Sequence, residues 1–223
     1  MKENPKEEFL EVVDEDNQVI GISSRKEIHE KSLRHRSVHI FIFNTQGDLY
    51  LQKRSPSKDQ YPEHWDTSAA GHTDPGESPL EAAQRELREE LGITVPLMEV
   101  LEYPACLETG WEFVTLFTAR TDAPIHLNLE EATTGGFFTP GQLTRLLTDP
   151  RQKIAPGFPV LYALYQSLIS IVNTDIETAS LSNNPKFIQL IERSRLRQKG
   201  EGGISPKEMR RILEKQKKSA EIR

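Results

Sequence analysis

The chain has 223 residues, 36% hydrophobic and 28% charged, enough for one substantial core and an appendage. No apolar run approaches the roughly 20 residues that span a bilayer, the charged start MKENPKEEFLEVVDEDNQ has no apolar signal core, and a single cysteine, Cys106, excludes an internal disulfide framework. These features fit a soluble protein of a reducing cytoplasm, and its net charge of −6 is uneven: residues 186–223 carry 12 Lys+Arg against 5 Asp+Glu, a surplus of +7 that leaves −13 for the rest.

Residues 9–22, FLEVVDEDNQVIGI, alternate, turn at Asp16-Asn17 and resume at Val19, the pattern of a β-hairpin. A polar stretch, SSRKEIHEKSLRHRS, helical or irregular, leads into a strand over 38–44. After the turn Thr45-Gln46-Gly47-Asp48 the sheet resumes in LYLQKRS, and Pro56 and Pro62 mark a polar loop. Trp65 opens the short segment WDTSAAGH and is assigned to the core rather than to stacking on a ligand.

A helix is marked at both ends. Ser78 is a good N-cap, Pro79 stands where proline is welcome, and Glu81 completes a capping box. Gly92 is placed to end the helix in a left-handed conformation. Leu80, Ala83, Leu87 and Leu91 recur at helical spacing and form the expected core face. Glu86, Glu89 and Glu90, at i, i+3 and i+4, share another face. Like charges at that spacing oppose the helix by a few tenths of a kcal/mol per pair, and a divalent cation would reverse the effect. Taken alone, such a triplet is more often a solvated acidic face, here with Arg85 and Arg88 as partners.

Beyond Gly92, strands are expected over 95–103, 111–120 and 135–138, with a turn at Glu108-Thr109-Gly110 and a loop carrying Glu130-Glu131. Cys106 reads as a small buried residue, not a nucleophile, since nothing near it in sequence would activate it. A short helix over 140–147 has Thr139 as cap and Pro140 at its first position. The apolar run 157–172 forms a helix that closes the core. A largely antiparallel set of strands with two or three helices fits an α+β sandwich over 1–172. From 173 the chain becomes a polar linker and then two short amphipathic helices, a basic tail over 173–223. The tail carries no recognition motif, so docking on the body or pairing of subunits is expected ahead of nucleic-acid contact.

The spacing around the helix is more specific than its glutamates. Gly71, five residues, Glu77, seven residues, Arg85-Glu86, Leu87, one residue, Glu89-Glu90, one residue, Gly92, Ile93: this resembles the Nudix box of the Nudix hydrolases at every specified position. The resemblance implies an α/β/α sandwich with a mixed sheet. It also implies hydrolysis of a diphosphate linked to another moiety, with Mg²⁺ or Mn²⁺ as cofactor. Glu86, Glu89 and Glu90 would then be the main metal ligands, Glu77 a further ligand or an orienting carboxylate, and Arg85 a brace. The Gly71 carbonyl could complete the coordination sphere.

The N-terminal half resembles the isopentenyl diphosphate isomerase branch of the same superfamily, in the stretches DEDNQVIGISSRKEIHEKSLRHRSVHIFIFN and LYLQKRSPSKDQYPEHWDTSAAGH. In that branch histidines and a late glutamate hold a metal, and a cysteine precedes the Gly-His pair. His29 and His35 lie near two of those histidines, at a spacing one residue shorter, His72 matches the histidine of Gly-His, and Glu112 matches the late glutamate. The cysteine position is Ala70, which can transfer no proton, and the hydrolase box is complete; both departures favour hydrolysis.

Metal ions would neutralise phosphate charge and activate a water. Glu89 or Glu90 is the first choice for base or ligand, with Glu112 and Glu131 as further candidates. Lys53 and Arg54, at a strand end, and His72 are the candidate substrate contacts, and His29, His35, His39 and His72 a candidate second metal site. Three readings stay open: a metal-dependent diphosphate hydrolase, an isopentenyl diphosphate isomerase-like enzyme, and a non-catalytic binding module. Nucleoside diphosphate derivatives, dinucleotide polyphosphates, isoprenoid diphosphates and thiamine diphosphate all fit the first. The resemblance also leaves a homodimer open.

Overall fold

A computed structural model gives the fold of residues 7–175. The expected linker and basic tail fall outside these residues, apart from the end of a helix at 173–175. One compact unit runs to Ala163 and a second begins at Leu164; the sheets and the site belong to the first.

The expected hairpin forms as β1 (Phe9–Val13) and β2 (Val19–Ser24), an antiparallel pair in a sheet of its own. Asn17 takes the positive φ of its turn, 60°, a conformation asparagine tolerates. The polar stretch that follows is helical: α1 (Arg25–Lys31) starts at Ser24, whose side chain accepts from the Glu27 N–H. The strands β3 (His35–Phe43), β4 (Leu49–Arg54), β5 (Trp65–Asp66), β6 (Ala69–His72), β7 (Met98–Tyr103), β8 (Glu112–Arg120) and β9 (Ala132–Phe138) form one mixed seven-stranded sheet. Three further helices are found among the described residues: α2 (Pro79–Leu91), α3 (Pro140–Thr148) and α4 (Gly157–Asp175).

β3 is the centre of the sheet. It runs parallel to β8 from His35↔Glu112 to Phe43↔Arg120, antiparallel to β6 over Ser37–Ile40, and meets β4 at Phe43↔Leu49. The sheet is largely antiparallel as expected, in five of its six strand pairs, and the parallel β3–β8 pair that makes it mixed has the longest register among the described residues. A parallel pair needs a long crossover, and the chain between β3 and β8 supplies one that includes α2. β3 also begins three residues before the expected Val38, because its pairing with β8 reaches back to His35.

Strand alternation gives β3 two buried faces. Val38, Ile40 and Ile42 meet Ala82, Ala83, Leu87 and Leu91 of α2, together with Ala69 and Phe117. Phe41, on the other face, packs edge-on against Phe158 and Tyr162 of α4, with centroids 6.1 and 6.2 Å apart. Helices on both faces make the α/β/α sandwich. The caps of α2 form as expected, with Ser78 and Glu81 bonded reciprocally and Gly92 at φ 63°. Its core stripe starts only at Ala82, and Leu80, expected in the core, is 44% exposed in the first turn.

Candidate active site

A cavity of about 900 Å³ opens on the first unit, and two clusters of chemically active side chains meet at it. The first is built on α2. Gly71, on β6, faces Val38 across the strand pair, and a Cβ added there would stand 2.0 Å from Glu86 Oε1. Only a residue without a side chain lets the Glu86 carboxylate lie against β6. Arg85 braces the cluster: its Nε and Nη2 donate to the two oxygens of Glu77 at 3.0 and 2.8 Å, and its Nη1 donates to Glu86 at 2.6 Å. Nη2 also donates to the carbonyl of His72 at 2.9 Å, tying the helix to β6.

Glu77, with both oxygens on Arg85 and one also accepting the Asp74 N–H, has the geometry of an orienting carboxylate. Glu90 accepts from Gln52 Nε2 at 2.8 Å and from the Ala70 N–H at 3.2 Å. Burial, only partly offset by Arg85, pushes the Glu86 carboxyl up to about 7. Burial and the nearby Glu86 push Glu90 up to about 8. Glu89 does not share this enclosure; its side chain is 58% exposed at the rim, 3.5 Å from Arg85. Two buried carboxylates with a third at the edge form an all-oxygen donor set, the kind that hard divalent cations take.

The second cluster follows from the register of β3. His35 lies opposite Glu112 on β8, and His72 lies opposite Ser37 on β6, so these groups share one face of the sheet; His29 joins them from α1. One ligand atom from each of His29, His35, His72 and Glu112 lies within 4.8 Å of all the others. The Nδ1 atoms are all occupied: His35 by the Leu33 carbonyl at 2.9 Å, His72 by Glu8 at 3.0 Å, His29 by Gln60 at 3.2 Å. The Nε2 atoms of His35 and His72 both stand 3.6 Å from Glu112 Oε1. His35 Nε2 is fully enclosed and has no hydrogen-bond partner, an expensive arrangement that a metal ion would satisfy.

His39, expected with this group, is set apart. Its Nδ1 is 3.1 Å from Thr67 Oγ1, and its Nε2 approaches the other Glu112 oxygen at 3.9 Å. Burial would raise the Glu112 pKa, but the imidazoles of His35, His39 and His72 hold it well below the usual carboxylate range. Burial opposes a charged His72, yet Glu112 and Glu8 outweigh it and keep that imidazole up at about 9. His29, with burial and two imidazoles against its charge, is pressed down to about 4.

The substrate-contact expectations divide. Arg54 lines the cavity but is held by Asp66 at 3.0 Å and by the Gln60 carbonyl at 3.1 Å. Lys53 does not line it: strand alternation turns Gln52 and Arg54 one way and Lys53 the other. Lys58, which the sequence reading passed over, lines the cavity and pairs with Glu131. It lies only four residues after Arg54 in KRSPSK, a signal present in the sequence but in a loop of unreadable shape. Ala70 shares the His72 face of β6 and also lines the cavity. Cys106 is half-buried against Thr109, and burial pushes its thiol up, away from reactivity. Trp65 is half-buried, packs edge-on against Phe138 and does not line the cavity.

The sheet between helices and the carboxylate-bearing helix define a class, and comparison with known proteins names it. A family model for the NUDIX domain matches residues 33–158, and the chain belongs to the Nudix family, whose members act on diphosphate-containing substrates. An uncharacterized Nudix hydrolase of Yersinia pestis is 36% identical over 142 residues, 61% of this chain and 76% of the relative. An isopentenyl-diphosphate Delta-isomerase of Serratia proteamaculans is 43% identical over 97 residues, 44% of this chain and 54% of the relative, so the chain spans about half of that enzyme. The crystal structure of DR0079 from Deinococcus radiodurans aligns with a TM-score of 0.58 at 31% identity, covering 66% of this chain and 93% of that one. The protein is thus a Nudix family member similar both to Nudix hydrolases and to isopentenyl diphosphate isomerases. His29 lies before the matched segment, on α1. Among the described residues no helix is long and apolar enough to cross a membrane.

Proposed function

We propose that the protein is a divalent-metal-dependent hydrolase cleaving the diphosphate linkage of an organic diphosphate, with Mg²⁺ or Mn²⁺ at the box carboxylates. The observation that supports this is charge. Among the described residues, ten carboxylates but only four Lys or Arg side chains line the cavity. Each of the four cations is already engaged by an acid: Arg25 by Asp59, Arg54 by Asp66, Lys58 by Glu131 and Arg85 by Glu77. A diphosphate brought in without cations meets net repulsion.

Bound divalent ions would supply the missing positive charge on the phosphate oxygens and lower the pKa of a water. The remaining work falls to the chain. Glu86 and Glu90, with the Gly71 carbonyl, would hold the ion, and Gln52 and the Ala70 N–H fix the Glu90 carboxylate in place. Glu89, at the rim, takes the proton from the attacking water. Arg85 keeps Glu86 oriented through its fork to Glu77. Arg54 and Lys58 exchange their carboxylates for phosphate oxygens. Glu112, held ionised by imidazoles, is a poor proton acceptor and would serve with His29, His35 and His72 as a ligand of a second ion. The imidazole donors make that site a better fit for Mn²⁺ or Zn²⁺ than for Mg²⁺. The catalytic domain is 1–172 in this reading, and 173–223 is an appended tail.

The histidine cluster and the Serratia relative favour a second reading, an isomerase of isopentenyl diphosphate. Ala70 opposes it, since an alanine carries no proton. A screen of organic diphosphates with Mg²⁺ or Mn²⁺, including isopentenyl diphosphate and read by mass spectrometry and chromatography, separates the two. Metal-dependent cleavage that disappears in Glu90→Gln is the expected result. Isomerisation without cleavage would establish the second reading, and turnover of no diphosphate would defeat both.

A further inference from the structure

We infer that Glu8 is a positioning residue of the histidine cluster: its carboxylate holds His72 by Nδ1, so that Nε2 faces the point on which His29, His35 and Glu112 converge, ready for a divalent transition-metal ion. This rests on reading the cluster as a metal site.

Glu8 Oε1 accepts from His72 Nδ1 at 3.0 Å, and Oε2 stands 3.5 Å from Arg25 Nε. The Arg25 N–H donates to the Glu8 carbonyl at 2.9 Å, so the first residue of α1 anchors both the backbone and the side chain of Glu8. Of the three groups hydrogen-bonded to Nδ1 atoms in the cluster, one is a backbone carbonyl, one a neutral amide and one, Glu8, a carboxylate; Asp59 stands farther off, 3.8 Å from His29 Nδ1. A carboxylate on Nδ1–H selects the tautomer whose Nε2 carries the free lone pair, and it strengthens that nitrogen as a donor. Loss of the carboxylate frees the ring to turn or to adopt the other tautomer, with the proton on the nitrogen that must bind metal. Glu8 precedes β1 and lies outside the segment matched by the family model, so the N-terminal hairpin gains a purpose beyond packing.

The test uses the full chain, stripped of metal and titrated with Co²⁺. Imidazole-ligated Co²⁺ of low coordination number absorbs strongly in the visible, and Co²⁺ held only by carboxylates and water absorbs weakly, so the band reports the histidine cluster and not the box. The wild type should show the band, and His35→Ala should lose it. Glu8→Ala should bind Co²⁺ about 10–100-fold more weakly, the usual effect of an outer-shell partner. Glu8→Gln, which keeps an acceptor oxygen, should recover most of the affinity, and Glu8→Asp, one methylene short, should not. This order also decides the matter should Glu8→Ala fail to fold. Equal affinity and an equal band in the wild type and all Glu8 variants, with the band still lost in His35→Ala, would overturn the role of Glu8 and leave the metal site standing. A wild type without any histidine-dependent band would overturn the metal reading and the role of Glu8 with it.

Discussion

At the box end of the cavity Glu86 and Glu90 are buried together, and their carboxyls are pushed up to about 7 and 8. At the histidine end Glu112 is largely buried, and three imidazoles hold it well below the usual range. Burial raises a carboxyl pKa in both places, so the neighbours decide the sign. Among the described residues the one Lys or Arg paired with Glu86 is Arg85, which also serves Glu77. In the proposed reading an ion from outside supplies the remaining positive charge. The histidine end balances its own carboxylate with imidazolium, and a metal entering there must displace protons.

The largest predicted effect breaks the box end alone. In Gly71→Ala the new Cβ would occupy the place of the Glu86 carboxylate. A displacement of about 1 Å at a catalytic centre costs roughly 100-fold, so kcat/KM for metal-dependent hydrolysis should fall by at least about that factor, with the Co²⁺ band at the histidine end unchanged. The mirror change, His35→Ala, removes a ligand of the second ion and should abolish the band, while Mg²⁺-dependent hydrolysis at the box falls less than in Gly71→Ala. Equal losses of hydrolysis in the two variants would show that the ends work as one site.

A smaller effect concerns pH in the metal-free protein. Folded pKa values of about 8 for Glu90 and about 9 for His72 lie above their unfolded values near 4.5 and 6.5. The native state then binds more protons than the unfolded chain between pH 6.5 and 8, so stability falls as pH rises through that window. Thermal melts should show Tm declining from pH 6.5 to 8 without metal, and Mg²⁺ should recover more at pH 8 than at pH 6.5. A flat profile in the metal-free protein would contradict the enclosure of Glu90. The smallest effect serves as a control: Ser78→Ala removes the α2 cap and should cost about 1 kcal/mol in urea unfolding, without changing which metal supports activity.

Elements set by neighbours in sequence were readable. The α2 caps, the α3 cap at Thr139 with Pro140 after it, the β1–β2 turn and the start of β4 all lie where their residues predict. Errors came where the partner is distant. Leu80 fits the core stripe by spacing and misses it because the core does not extend under the first turn of α2. Glu86, Glu89 and Glu90 look equivalent on a helical projection, yet β6 covers Glu86 and Glu90 and leaves Glu89 at the rim. Lys53 and Lys58 look alike in composition, and only strand alternation and the course of the 55–64 loop separate them.

The sequence by itself determined the α2 helix, its caps and the spacing of its acids, along with the strand pattern and the family resemblance, because these depend on contacts within a turn or a two-residue period. The cavity was decided by the tertiary structure. The parallel β3–β8 register puts Glu112 beside His35, and β6 brings in His72. The hairpin carries Glu8 to a histidine 64 residues away. Such groups meet through the pairing of whole strands, which no local periodicity encodes.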